Sequence, residues 1–228
     1  MKKEKALLLV GASGGIGTAL LDYLSVRTEI ICIPTYYRNR PIDSPYDWVQ
    51  LNTIDFNSSK NIFETITKKY EIDLVIDVTG CYFASKLQNT SSQTINEVIS
   101  TNLVAPLNLA KNAQAFMSIG AKIIHMSSIL STSNVVGSSV YAASKAGLER
   151  GILSLSTEFA ASGHAICGIR LGYMNYGMTH RIDKKIRARI LKNLPEEKFI
   201  DIKILGDLVI QIMNSDAEKV NGNIYDGT

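Results

Sequence analysis

The sequence predicts an α/β fold, a doubly wound parallel sheet held between two layers of helices. Three observations carry this expectation. Short runs rich in branched aliphatic residues alternate with longer segments of helical spacing along the 228 residues. Two runs, Leu74–Ile76 and Ile123–Ile124, are apolar without a break, as strands covered on both faces are. The first run ends in the stretch Gly11-Ala-Ser-Gly-Gly-Ile-Gly17, which passes straight into a helical pattern.

The elements follow in order. Ala6–Val10 reads as the first strand, and Ile16–Val26 as the amphipathic helix after the glycine turn. Glu29–Pro34 is the second strand, and a weaker one lies near Trp48–Leu51. The helix Ser59–Lys69 leads to the strand Leu74–Val78, and the long helix Ser92–Ser118 to the strand Lys122–Met126. The helix Tyr141–Ala161 precedes the strand Ile166–Leu171. Helices Asp183–Leu194 and Lys203–Asn214 and a last short strand, Asn223–Tyr225, complete the chain. No repeat or low-complexity linker interrupts this pattern, so residues 1–228 are expected to form one domain. Its ligand is expected at the carboxyl ends of the strands.

Composition removes several classes of function. A hydrophobic fraction of 46% and a charged fraction of 20% are those of a soluble globular protein. A net charge of +3 is too weak to argue for nucleic acid. The apolar run after the basic N-terminus spans only Ala6–Val10, so neither a signal peptide nor a membrane span is expected, and the cytoplasm is the expected location. The three cysteines, Cys32, Cys81 and Cys167, are scattered and lack ligand spacing, and the chain has three histidines, so no metal site is expected.

The glycine stretch has a physical reading. Gly11, Gly15 and Gly17 allow a tight turn and a close backbone approach to a pyrophosphate, and Ser13, Gly14 and Ile16 complete the loop. The helix that follows offers free N–H groups and a partial positive charge. With a strand before it and a helix after it, this is the phosphate cradle of a Rossmann-like dinucleotide-binding fold. The second strand runs into Thr35-Tyr-Tyr-Arg-Asn-Arg40. An acid at that point would bind the ribose hydroxyls of NAD and repel a 2′-phosphate. Arg38 and Arg40 stand there instead, so NADP(H) is expected in preference to NAD(H).

Tyr141 and Lys145 are four residues apart on a predicted helix and so share one face. A lysine ammonium beside a phenol favours the phenolate and is expected to lower the tyrosine pKa from about 10. Such a tyrosine can exchange a proton with a substrate oxygen. Asn102 sits inside a helical pattern with Pro106 four residues on. Proline has no N–H, so the Asn102 carbonyl loses its helical partner, and a kink that can hold a water is expected.

These motifs resemble the short-chain dehydrogenase/reductase family in its compact one-domain form, from Ala6 to Gly227. The resemblance implies a catalytic set of Asn102, Ser128, Tyr141 and Lys145, with Ser127 as the fallback for the serine. It implies that Asn102 holds a water relayed to Lys145, that Asp55 beside Phe56 contacts adenine, and that Gly80 and Gly172 lie against the cofactor. Two turns depart from the family pattern. Asp77-Val-Thr-Gly80 keeps only the glycine of Asn-Asn-Ala-Gly, and Leu171-Gly172 stands where Pro-Gly is usual. Tyr176 takes the place of the threonine that touches the carboxamide, with Thr179 as a substitute.

The expected function is NADP(H)-dependent hydride transfer between nicotinamide and a carbonyl or alcohol, as in a carbonyl reductase or alcohol dehydrogenase. The alternatives are a catalytically silent nucleotide-binding regulator, motivated by the two altered turns, and an epimerase or dehydratase using transient hydride transfer. The segment near residues 173–199 is the expected substrate lid. Its basic residues, among them Arg181, Lys184, Lys185, Arg187, Arg189 and Lys192, suit an anionic or carrier-bound substrate or else form a solvated face. His125, between Ile124 and Met126, reads as a packed strand residue and Cys81 as a small buried hydrophobe. Apolar residues on more than one face of the two long helices, namely Val98, Ile99, Leu103, Leu107, Leu148, Ile152 and Leu155, lead us to expect a homodimer or homotetramer.

Overall fold

A computed structural model describes residues 3–228. Seven strands form one parallel sheet in the order β3-β2-β1-β4-β5-β6-β7. They are β1 (Glu4–Val10), β2 (Ile31–Tyr36), β3 (Val49–Gln50), β4 (Tyr70–Asp77), β5 (Lys122–Ser128), β6 (Ala165–Leu171) and β7 (Ile224–Gly227). The order reverses between β1 and β4, and a crevice at such a switch point is where doubly wound folds bind ligands. Val78 donates its amide to the Val10 carbonyl at 3.0 Å, so the loops after β1 and β4 leave the sheet side by side.

Strand alternation sends residues to two cores. In β1, Leu7 and Leu9 pack under α1 (Gly15–Ser25) and α7 (Ile202–Asn214), with Leu20, Leu24, Leu205 and Val209. Ala6, Leu8 and Val10 face the other way, with Phe63 of α2 (Phe56–Ile66), Leu109 of α4 (Ala105–Phe116) and Leu148 of α5 (Ser139–Ala161). Both faces are thereby covered, as the unbroken apolar runs of β4 and β5 require.

The structure changes the expected helix Ser92–Ser118. It divides into α3 (Ser92–Ile99), a π-helical turn over Ser100–Val104, and α4. Ala105 donates to the Ser100 carbonyl across five residues, so the chain has taken up one extra residue just before Pro106. A proline in the first turn of α4 needs no donor, and the wider turn removes its clash with the preceding helix. α2 starts three residues earlier than expected, because the Asp55 carboxylate caps it by accepting from Asn57 and Ser58. α6 (Lys184–Lys192) is capped in the same way by Asp183. A short α8 (Ala217–Val220), not expected from the sequence, precedes β7. No helix among the described residues is long and apolar enough to cross a membrane.

Candidate active site

The carboxyl end of β5 and the first turns of α5 bring the expected polar residues together. Tyr141, Lys145 and Ser128 are all buried, with Lys145 only 3% exposed. The Lys145 ammonium donates to the Met126 carbonyl at 2.7 Å, which ties the α5 face to β5. Ser128 accepts from the Leu130 amide at 3.2 Å and lies beside the Tyr141 phenol. The ring of Tyr82 meets that of Tyr141 edge-on, with centroids 5.0 Å apart. Ser127 is taken up elsewhere, donating to the Glu149 carboxylate at 2.6 Å.

Asn102 sits in the π turn, fully buried. Its Oδ1 accepts from the Cys81 amide at 2.9 Å, and its Nδ2 donates to the Cys81 carbonyl at 2.9 Å and to Ser144 Oγ at 3.1 Å. Ser144 donates in turn to the Tyr141 carbonyl at 2.7 Å. The amide side chain thus clasps the loop after β4 to the helix that carries Tyr141 and Lys145. A Cβ added at Gly80 would lie 3.4 Å from Asn102 Oδ1 and 3.8 Å from Lys145 Nζ. Gly80 therefore stands at the meeting point of this cluster.

The expected lowering of the tyrosine pKa does not hold in this geometry. Burial pushes the Tyr141 phenol up to about 12; Ser128 pulls it down, and Tyr82, Cys81 and Tyr173 add to the rise. Lys145 gives its hydrogen bond to a carbonyl, and its own pKa falls to about 8 because burial opposes its charge. Asp77, Cys81 and Glu149 oppose that fall. Burial thus holds the phenol in the neutral form.

The glycine loop fits a dinucleotide pyrophosphate. Gly11 has φ +82°, and a Cβ there would come within 2.9 Å of Thr79 Cγ2. The first intrahelical bond of α1 runs from the Thr18 amide to the Gly14 carbonyl. The amides of Gly15, Ile16 and Gly17 precede it, and no side chain caps the helix. Ser13 donates its amide to the Thr35 carbonyl at 3.3 Å, which holds the loop against β2. The strap after β6 runs over the rim of this cradle: a Cβ on Gly15 would lie 2.4 Å from the Gly177 nitrogen.

Other expected contacts are distributed unevenly. Arg38 and Arg40 are exposed beyond the end of β2, with Arg38 over the Tyr37 ring at 5.1 Å. Asp55 uses Oδ1 to cap α2 (2.9 Å to the Asn57 amide), and Phe56 opens that helix under the Lys111 ammonium. The open side of Gly172 faces Ile200 and Thr228, 2.5 and 3.0 Å from where a Cβ would be, so a side chain has no room there. Thr179 is buried in the 3₁₀ turn Gly177–Arg181, whereas the Tyr176 side chain packs beside the core under α1. Helix α6, within the expected lid segment, buries no residue, and its Ile186 is 55% exposed.

Two buried carboxylates join this cluster, Asp77 of the altered turn and Glu149, which the sequence analysis does not single out. Asp77, at the end of β4, is 2% exposed and accepts from His125 Nδ1 at 3.0 Å and from the Thr79 amide and hydroxyl at 3.0 and 2.6 Å. Burial pushes its pKa up, but these hydrogen bonds prevail and hold it below the usual carboxylate value. Glu149, one turn beyond Lys145, accepts from Ser127, Ser131 and Arg170, and Arg170 also bonds Asp226 at 3.1 Å. The signal for Glu149 was its spacing, since 141, 145 and 149 share one face of α5. The signal for Asp77 and His125 was an acid and an imidazole each ending or flanking an apolar run.

Comparison with known proteins decides the family. A family model described as Enoyl-(Acyl carrier protein) reductase matches residues 40–226. The chain belongs to the short-chain dehydrogenase/reductase family. This family is one of oxidoreductases whose fold binds a nicotinamide cofactor. Among similar curated proteins are the 3-oxoacyl-acyl-carrier-protein reductases FabG of Escherichia coli K12 and of Staphylococcus aureus Mu50. The first is 27% identical over 227 residues, covering 96% of this chain and 93% of that protein. The second is 22% identical over 237 residues, covering 97% and 96%. Ligand-free aldohexose dehydrogenase from Thermoplasma acidophilum superposes with a TM-score of 0.88 at 18% identity, covering 99% of this chain and 93% of that one. A dehydrogenase/reductase from Sinorhizobium meliloti 1021 gives 0.85 at 19%, covering 99% and 95%. These two likenesses establish the parallel sheet and its helical layers.

Proposed function

We propose that this short-chain oxidoreductase is an NADPH-dependent reductase of a 3-oxoacyl thioester carried on an acidic protein. The observation that carries the reading is the buried Tyr141–Lys145 face set beside Ser128 at the carboxyl end of the sheet. The names of the FabG relatives support the carrier-bound class, and so do the exposed cations Lys184, Lys185, Arg189 and Lys192 on α6. The cofactor preference rests on Arg38 and Arg40, placed where an acid would select NAD.

A bound nicotinamide supplies the hydride that reduces the carbonyl carbon. Ser128 donates its hydroxyl to the carbonyl oxygen and fixes it in front of Tyr141. Tyr141 then gives that oxygen its phenolic proton, and a phenol whose pKa is pushed up to about 12 still carries that proton at neutral pH. Lys145 has three donors; one goes to Met126, and the others are available for a ribose hydroxyl and for stabilising the phenolate left behind. Asn102 acts by holding Cys81 and Ser144 in place, and its backbone carbonyl in the π turn is the seat for a relay water. Gly15, Ile16 and Gly17 would hold the pyrophosphate on backbone amides, while Gly11, whose own amide donates to Thr35 Oγ1 at 3.1 Å, makes the turn.

A homo-oligomer remains part of this reading on a reduced basis. Val98, Leu148 and Ile152 prove to be buried within the chain, so the outward apolar face is that of Val104, Leu107 and Leu153. Light scattering at micromolar concentration tests it, and a monomer would remove it. The cofactor reading is tested by fluorescence titration with NADPH and NADH. Binding of NADPH at least about tenfold tighter, 1.4 kcal/mol, supports it. Tighter NADH binding overturns the preference, and binding of neither overturns the reductase.

A further inference from the structure

The altered turn after β4 gives this site a buried charge. Asp77 and Lys145 are 2% and 3% exposed, and isolated buried charges are too costly to stand uncompensated. The two come from neighbouring elements. Asp77 lies opposite His125 in the β4–β5 register, and Lys145 donates to the carbonyl of Met126, the next residue along β5. The same turn brings Gly80 to Lys145, 3.8 Å from its Nζ to the Cβ position. Yet among the described residues no carboxylate forms an ion pair with Lys145. The Asp77 oxygens are engaged instead by Thr79 and His125.

We propose that Asp77 is a positioning residue for Lys145, the fixed counter-charge that keeps the lysine an ammonium, while Thr79 and His125 restrain the carboxylate so that it does not capture the lysine. A direct salt bridge would use up the donors that the cofactor and Tyr141 require. A carboxylate held on the strand beside the one that Lys145 bonds supplies the field and leaves the donors free. The remaining groups around the lysine do not replace it. Glu149, on the same helix, is neutralised by bidentate contact with Arg170. The Cys81 thiol, from the loop after β4, and the Tyr141 phenol have pKa values raised by burial and are neutral near pH 7. His125 lies on the Asp77 side and donates to it. This deepens the reductase reading, since the value of a charged Lys145 rests on it.

The test is the titration of the Lys145 side chain by NMR in the wild-type protein and in Asp77→Asn, with Lys145→Met to assign the resonance. Asparagine keeps the shape, and the Thr79 hydroxyl rotor and the His125 tautomer can reverse to satisfy its amide, so the variant removes charge rather than structure. The expected result is a Lys145 midpoint lower by about one pH unit in Asp77→Asn, with a smaller change in Glu149→Gln. An unchanged midpoint, or an equal shift in Glu149→Gln, overturns the proposal. Coupling is reciprocal, so in Lys145→Met the Asp77 carboxyl midpoint rises; an unchanged carboxyl overturns it independently of how Asp77→Asn folds. The affinity for NADPH, followed against pH, separates the two readings. Failure of NADPH to bind the wild-type protein removes the reductase reading while the lysine titration still decides this one.

Discussion

The buried cluster around Tyr141 and Lys145 and the strap over residues 173–199 are built on opposite principles. In the cluster, buried polar side chains bond from one element to another. Asn102 joins the loop after β4 to α5, Lys145 joins α5 to β5, and Glu149 joins α5 to β5 and β6. In the strap, α6 buries nothing, and its polar bonds are local, such as the Asp183 cap and the bond from Arg187 to Asn175. The strap touches the body where Gly177 crosses Gly15 and where the Ile200 amide bonds the Tyr173 carbonyl. The contrast teaches where each property of the protein resides. A bonded, dry cluster has one arrangement and suits proton transfer. The exposed basic helix of the strap instead presents its cations to solvent, where a charged partner can meet them.

The largest effect that can break this contrast is at Tyr141. Tyr141→Phe is expected to lower turnover by about 10²–10⁴-fold while leaving NADPH affinity unchanged, read by steady-state kinetics and fluorescence titration. Near-normal turnover would place the chemistry elsewhere. Next is Asn102→Ala, which leaves the Cys81 amide and carbonyl without their clasp. A loss of about 2 kcal/mol in chemical denaturation is expected, and a stability within error of the wild type would show that the cluster is not held by this side chain. Arg38→Ala is expected to weaken NADPH about tenfold and leave NADH unaffected, a loss near 1.4 kcal/mol. An equal loss for both nucleotides would mean that the arginine does not read the 2′-phosphate. The smallest effect on the body itself belongs to the strap. Lys184→Glu with Lys185→Glu is expected to change stability by less than about 0.5 kcal/mol, yet to raise KM for a carrier-bound thioester and not for a small one. A matching change in both KM values would remove α6 from partner choice.

The same contrast explains what could be read from the sequence. The strands and the glycine loop were legible because periodicity and backbone-dictated glycines are local signals. The meeting of Tyr141, Lys145 and Ser128 was legible because the three lie within one strand–turn–helix unit. The division of the long helix was half legible: Pro106 marked the place, but a π turn at Ser100–Val104 depends on how Asn102 reaches Cys81, some 21 residues away in sequence. The tyrosine pKa was misread because spacing gives the neighbours of a phenol but not its burial, and burial dominates here. Asp77 with His125 joins two strands and Glu149 with Arg170 a helix to a strand, so local signals mark the residues but not their partners. Gly172 shows the converse, a residue matched by motif whose open side is filled by Ile200.

The most direct test of the account is nucleotide oxidation by the wild-type protein and Tyr141→Phe, given a 3-oxoacyl thioester with NADPH or NADH and followed by nucleotide absorbance. The account predicts that the wild type consumes NADPH at least about tenfold faster than NADH at equal concentration, and that Tyr141→Phe slows consumption by about 10²–10⁴-fold although it still binds NADPH. Absence of consumption by the wild type, or equal rates in the two proteins, would contradict it.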